Sequence, residues 1–396
     1  MQMQRWMCVL ALPVLFSACG KDQATAAYDE AKLAEARAAV PSKTQMSAEA
    51  PGASTRAAGA TAMFPKFGVD VAAGVNGAVS GIVDLMARIV EIPPTRYKSD
   101  TQEFFWGPWK KNDPDDTFGY VAAYVRENPL PRDFKYTYAL LRGPDEDESK
   151  LVPIIWGSAT PDPTEKDYGT GVTLWDFEAN YLFAKTDPAF VSKPYDRGRF
   201  VALYGRQVDK NDAAAVFAFN VAVFNGFVPK DKPTTAAVHA EYLYGKWVKA
   251  DLAISFLDFR LPADVVPDAA QGGPDGKLED MKVRMAAINR GVGRAEITLT
   301  NHDPQDGSYP SGKQGEATEC WNAGIDETYL RFAQVDSTSG VADWNYEKPG
   351  TTASDCGVVF SKTLDELKIP SIDSVDAEFH DGLTKMRDVA ANGVPR

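Results

Sequence analysis

The chain has 396 residues and a formal net charge of −13, with 44% hydrophobic and 24% charged residues. This is an ordinary globular balance, long enough for one large domain or two smaller ones. The acidic excess argues against nucleic acid, whose phosphates need a Lys/Arg surface, and against broad adsorption to anionic lipid heads.

Arg5 is the only charged residue before Lys21, and an apolar run from Trp6 to Phe16 leads into Ser17 and Ala18. A positive start, a short apolar middle and small residues at the end form a secretory signal. The run is too short to span a bilayer, which needs about 20 residues. An ordinary signal-peptidase cut after Ala18 would place Phe16 where a small residue is needed. The stretch Leu15-Phe16-Ser17-Ala18-Cys19 instead resembles a bacterial lipobox, with Phe16 standing where Leu is usual. The resemblance implies cleavage before Cys19, diacylation of its thiol and acylation of the new amine. Each buried CH₂ contributes about 0.8 kcal/mol, so two or three acyl chains anchor stably. Gly20 rather than Asp follows Cys19. By the same resemblance this implies the outer membrane of a Gram-negative cell, with the leaflet left open.

Residues 1–18 are therefore expected to be a lipoprotein signal peptide, and 19–63, rich in Ala, Thr, Ser and Gln, a mostly disordered tether with a transient helix at most from Asp29 to Ala39. Apolar density rises at Phe64, where a β-rich globular domain spanning 64–396 is expected to begin. Val75, Val79, Ile82, Val83, Met86, Ile89 and Val90 fall at helical spacing and predict a helix covering a sheet. Pro93-Pro94 ends it. Asp84, Arg88 and Glu91 are too few for the basic face of a membrane-surface helix.

From Phe104 to Thr300 the period becomes two. Phe118, Tyr120, Ala122 and Tyr124 share a face, as do Phe134, Tyr136, Tyr138 and Leu140, then Ala215, Phe217, Phe219, Val221 and Val223. Val248, Ala250, Leu252, Ile254 and Phe256 give the clearest alternation. Turns are expected at 112–116, Gly143-Pro144-Asp145, Pro161-Asp162-Pro163, Lys230-Asp231 and Tyr244-Gly245. About eleven strands at this spacing predict a large antiparallel sheet closed as a barrel or folded as a sandwich. Asp176 caps a helical turn running to Lys185. The Pro/Gly/Asp-rich stretch 262–280 reads as a long loop or a sub-boundary. Beyond Asn301 the alternation weakens. Thr363 with Glu366 makes a capping box for a short helix, and Val375, Phe379, Leu383 and Met386 mark a last amphipathic helix.

Cysteine use fits an exported protein. Cys8 leaves with the signal and Cys19 takes the lipid, so Cys320 and Cys356 are expected to pair as a disulfide in an oxidising compartment. Closing a loop of that length contributes roughly 3–4 kcal/mol in the chain-entropy view. Metal ligation is the alternative, and neither thiol has a Cys-x-x-Cys or a nearby His to support it.

No reaction is legible. Gly77 to Gly81 places Ser80 one position late for a nucleophile elbow, inside the expected helix. His239, His302 and His380 sit on a strand, in a loop and in a helix, with no His-Glu-x-x-His among them. The acidic loops at 112–116, 145–148 and 303–306 lack EF-hand spacing. Phosphate-binding glycine loops are missing. A glycosidase-like carboxylate pair has no local signature and stays open, since such pairing is spatial. Trp106-Gly107-Pro108-Trp109 reads as a kinked sheet end or as an aromatic ligand wall.

Taken together, the lipobox, the tether, the helix ending Ile92-Pro93-Pro94-Thr95, the Trp-Gly-Pro-Trp strand, the aromatic meander and Glu319-Cys320-Trp321 resemble a group of large uncharacterised lipoproteins from Gram-negative bacteria. The resemblance implies no activity and carries over one functional residue, Cys19. The expectation is an outer-membrane lipoprotein, non-enzymatic, without cofactor or metal. It would be held to the membrane by its lipid and bind a partner protein or a small apolar ligand, or serve as a structural envelope component. The alternative is a lipid-anchored hydrolase using two carboxylates. The interior of the sheet separates them: an aromatic-lined cavity favours binding, carboxylates in a cleft favour hydrolysis, and a side-chain-filled interior favours a structural role.

Overall fold

A computed structural model describes residues 28–393 apart from positions 50, 52–60, 112–117, 130–133, 190–193, 210, 235, 268–272, 290 and 379–381. Fifteen strands follow one another in a single antiparallel meander, each paired with its sequence neighbours. The first half holds β1 (Arg96–Lys98), β2 (Glu103–Lys110), β3 (Tyr120–Glu127), β4 (Tyr136–Gly143), β5 (Val152–Pro161), β6 (Gly169–Asp176), β7 (Arg197–Asp209) and β8 (Asp212–Val228). The second holds β9 (Val238–Lys249), β10 (Leu252–Ala263), β11 (Glu279–Ile288), β12 (Gly293–Asn301), β13 (Lys313–Trp321), β14 (Glu327–Asp336) and β15 (Ala342–Glu347).

The expected closure is not made. Among the described residues β1 and β15 remain as two edges of one open sheet, so neither a hydrogen-bonded barrel nor two separate sheets forms. The 262–280 stretch does not break the ladder either, because Ala263 pairs with Glu279 across it.

Strand alternation sorts side chains onto two faces. One face carries Tyr97, Trp106, Tyr138, Trp175, Tyr204, Tyr242 and Trp321 in the principal core. The other carries Leu174, Val221, Leu243 and Phe256 in a second core. Glycines make room for these rings. Gly157 lies directly opposite Tyr138, Gly171 opposite Tyr204, Gly205 opposite Phe219, Gly245 opposite Phe256 and Gly293 opposite Trp321. A Cβ on Gly245 would lie 2.0 Å from the Phe256 ring, and one on Gly293 2.2 Å from Trp321. Each ring lies over the bare backbone of its partner and covers it, which pins register.

Among the described residues three helices precede the sheet: α1 (Glu30–Ala38), α2 (Lys43–Met46) and α3 (Phe64–Glu91). Val75, Val79, Val83 and Met86 of α3 are buried in the same apolar cluster as the first sheet face. Leu33, Ala36, Val40 and Met46 are buried there too. The expectation of a disordered tether over 19–63 therefore fails for residues 28–49. Asp29 caps α1 and a Ser42–Gln45 capping box starts α2. These small apolar residues gain burial only because the sheet and α3 supply a surface. The signal peptide expected at 1–18 lies outside the described residues.

The second face is packed by C-terminal elements, α5 (Gly357–Phe360), α6 (Ile372–Glu378) and α7 (Gly382–Asn392), through Phe360, Ile372, Leu383 and Met386. Polar bonds fasten them. Arg284 donates to Asp365 and the Ile369 carbonyl, Arg294 to the Phe360 carbonyl, and Arg199 to the Ala391 carbonyl. The short helix α4 (Phe177–Ala184) follows β6 and is capped by Asp176, as its sequence predicts.

Several local expectations are corrected. The alternation from Val248 to Phe256 is not one strand: Ala250 has φ 47° and the chain reverses there, with Leu252 pairing back to Lys249. Tyr244-Gly245 is mid-strand rather than a turn, the glycine serving ring packing. The Thr363–Glu366 box forms its reciprocal bonds, but the residues that follow make turns instead of a helix. The weakly patterned region beyond Asn301 contains three strands.

Candidate functional site

Cys19 lies outside the described residues. Cys320, on β13, and Cys356, just before α5, form a disulfide with Cα atoms 5.2 Å apart. It joins the second sheet face to the C-terminal elements that pack on it. Of the two tryptophans around Gly107-Pro108, Trp106 is fully buried and its Nε1 donates to the Ile92 carbonyl at 2.9 Å. It closes the end of α3 and lines no opening. Gly107, at φ 91°, has the Val121 carbonyl oxygen 2.8 Å from where a Cβ would sit.

His302 contacts Asp280 at 2.7 Å through Nδ1, His239 is exposed on β9, and His380 lies outside the described residues. Of the acidic loops, 112–116 lies outside the described residues. In the second, Asp145 and Asp147 accept from Lys150 and Ser149. In the third, Asp303 accepts from the Gln305 N–H. Among the described residues no cluster of three or more His, Cys, Asp or Glu could hold a metal. Ser80 is part of α3.

An open cleft of about 390 Å³ crosses the ends of β8 to β11 beside α7. Its charged and imidazole lining is His239, Glu241, Arg260, Asp280, Lys282 and Arg387, with Asn225 beside them. Strand register sets Glu241 opposite Arg260 and Arg260 opposite Lys282, so one acidic and two basic side chains stand in a row across the strands. Most of these groups are engaged. Arg387 holds both oxygens of Glu241, at 2.5 and 2.7 Å. Arg260 holds both oxygens of Asp373, each at 2.8 Å. Bidentate pairs of this kind fix geometry. The cleft can present charge to a polar ligand; of its two carboxyls, Glu241 is held through both oxygens by Arg387 and Asp280 contacts His302 through Oδ1.

Two carboxyls held above the ordinary range lie elsewhere. Burial raises the Glu319 carboxyl to about 7, against the backbone N–H groups of Met63 and Phe64, which lower it. Its two oxygens accept those two N–H groups at 2.7 Å each. Burial likewise raises Asp258, against Arg260 and the Ile372 N–H at the start of α6. Both carboxyls terminate helices instead of lining a cleft. Sequence reasoning could not find them, because each helix end is more than a hundred residues away from its carboxyl.

The first sheet face is filled. Trp106, Tyr138, Trp175, Tyr204, Tyr242 and Trp321 are each under 2% exposed. Within it runs a polar seam. Asn220 donates to the Met46 carbonyl at 2.9 Å and accepts from the Tyr242 hydroxyl at 3.3 Å. Burial pushes the nearby Tyr138 phenol up to about 12, so it stays neutral. No protein-family model, curated protein or solved structure matches this chain.

Proposed function

We propose that the chain is a lipid-anchored outer-membrane lipoprotein that acts without catalysis, as a binding or structural component of the envelope. The observation that carries this reading is the lipobox-like run ending at Cys19, behind a signal-type segment. The Cys320–Cys356 disulfide is in keeping with an oxidising compartment. In this reading α3 covers the first sheet face, and the packed rings beneath it leave no room for an internal apolar ligand. The protein then works through its outer surface, and a protein partner fits better than a small apolar one. The occupied oxygens of Glu241 and Glu319 weigh against the hydrolase alternative.

Mass spectrometry of the amino terminus tests the address. A mature chain starting at acylated Cys19 is expected, with Cys19→Ser moving the protein out of the membrane fraction. An unacylated terminus in the wild type would overturn the anchor.

A further inference from the structure

The two edges of the sheet are finished differently. β1 is three residues long and carries Arg96 and Lys98, each ion-paired to a neighbouring glutamate. A short, charged edge resists further pairing. β15 is twice that length, all of it exposed, and no other described strand lies beyond it. It carries Trp344 and Tyr346, 58% and 43% exposed. No proline or lysine interrupts it.

The register fixes what this edge offers. The Lys348 N–H bonds the Leu330 carbonyl at 2.9 Å. In an antiparallel ladder, residues that bond the neighbour alternate with residues that face away. Trp344, Tyr346 and Lys348 therefore turn their main chain to β14. Asn345 and Glu347 turn theirs outward. Tyr346 lies opposite Phe332 and Trp344 opposite Gln334, so both aromatic side chains share one face. A register shift at Gln334/Val335 bends the strand before Trp344 and limits the pairable segment to residues 344–348.

We propose that β15 pairs antiparallel with β15 of a second copy of this chain, about a two-fold axis at Tyr346. In that register Asn345 faces Glu347 of the second copy, and Glu347 faces its Asn345. Every outward N–H and C=O of both residues is then used. Tyr346 meets its own counterpart, and Trp344 lies over the stem of Lys348 of the second copy. The neighbouring register, centred on Asn345, sets Glu347 against Asp343 of the second copy, and like charges directly opposite are unfavourable. The interface is isologous and closes as a dimer. It needs no lipid anchor.

Sedimentation velocity of the full chain in non-ionic detergent, over a range of concentrations, tests the pairing. A concentration-dependent dimer is expected. Asn345→Pro removes one outward N–H and leaves the β14 ladder intact, and should weaken the dimer at least about tenfold. Under mild oxidation the Tyr346→Cys variant should cross-link to itself, while Trp344→Cys should not. A monomer at every concentration, a dimer indifferent to Asn345→Pro, or equal cross-linking by both cysteine variants would overturn the proposal. Cross-linking of the Tyr346→Cys variant to a different protein would overturn it in favour of a foreign strand.

Discussion

Glu319 on β13 accepts the backbone N–H of Phe64, at the start of α3, at 2.7 Å across 255 residues of sequence. Its other oxygen takes the Met63 N–H. Helix α3 has no side-chain cap of its own, so this borrowed carboxylate satisfies two of its orphan donors and complements the positive end of the helix dipole. The opposite end is treated in kind. Arg37 of α1 donates to the carbonyls of Val90, Glu91 and Ile92. A long apolar helix is thus held at both ends by charges from other elements.

The Glu319 cap should make stability pH-dependent. Its folded value of about 7 lies above the usual 4.5. The folded state therefore binds more protons than the unfolded one, so the contribution is full below about 4.5 and is lost as pH rises through 7. A shift of this size corresponds to a change on the order of 3 kcal/mol. The stability difference between wild type and Glu319→Gln, from urea unfolding, should shrink by up to that amount between pH 5 and pH 8. A difference that stays constant with pH would refute the assignment.

Arg37→Ala should cost about 1–2 kcal/mol, because three carbonyls at the end of α3 lose a charged donor. Arg37→Lys should fall between, since an ammonium cannot span the same fork. The check is the urea midpoint of each variant. Equal stability of Arg37→Ala and wild type would mean that water replaces the guanidinium without loss.

Reducing the Cys320–Cys356 bond should destabilise the fold by about 3–4 kcal/mol, from loop-closure entropy alone. The double variant Cys320→Ala/Cys356→Ala should behave like the reduced wild type and be insensitive to reductant. A wild type whose unfolding does not respond to reductant would contradict this.

Gly245→Ala should cost about 1–3 kcal/mol, since the added methyl meets the Phe256 ring. Phe256→Leu in the same chain should recover part of that loss. The coupling between the two sites, read from a double-mutant cycle, should be well above zero. Additive effects would mean that the ring does not pack on Gly245.

What the sequence determined alone were the local, periodic features. Two-residue alternation marked β3, β4 and β8, helical spacing with Pro93-Pro94 marked α3, and Asp176 marked the start of α4. The Cys320–Cys356 pairing followed from elimination. These readings work because each rests on residues within a few positions of one another, apart from the disulfide, where few candidates remained. The same locality misled at Ala250, where a tight turn preserves the alternation, and at Gly245, where a glycine reads as a turn until its partner ring is known. It also read residues 28–49 as a tether.

Tertiary structure decided the rest. Whether fifteen strands close depends on how their small relative rotations accumulate, which no local pattern encodes. That Leu33 and Met46 are core residues, that Glu319 and Arg37 hold α3, and that β15 is left with an open edge all depend on which distant segments come within bonding reach. Burial and hydrogen-bond satisfaction are properties of the assembled neighbourhood, and a chain written out residue by residue has none until it folds.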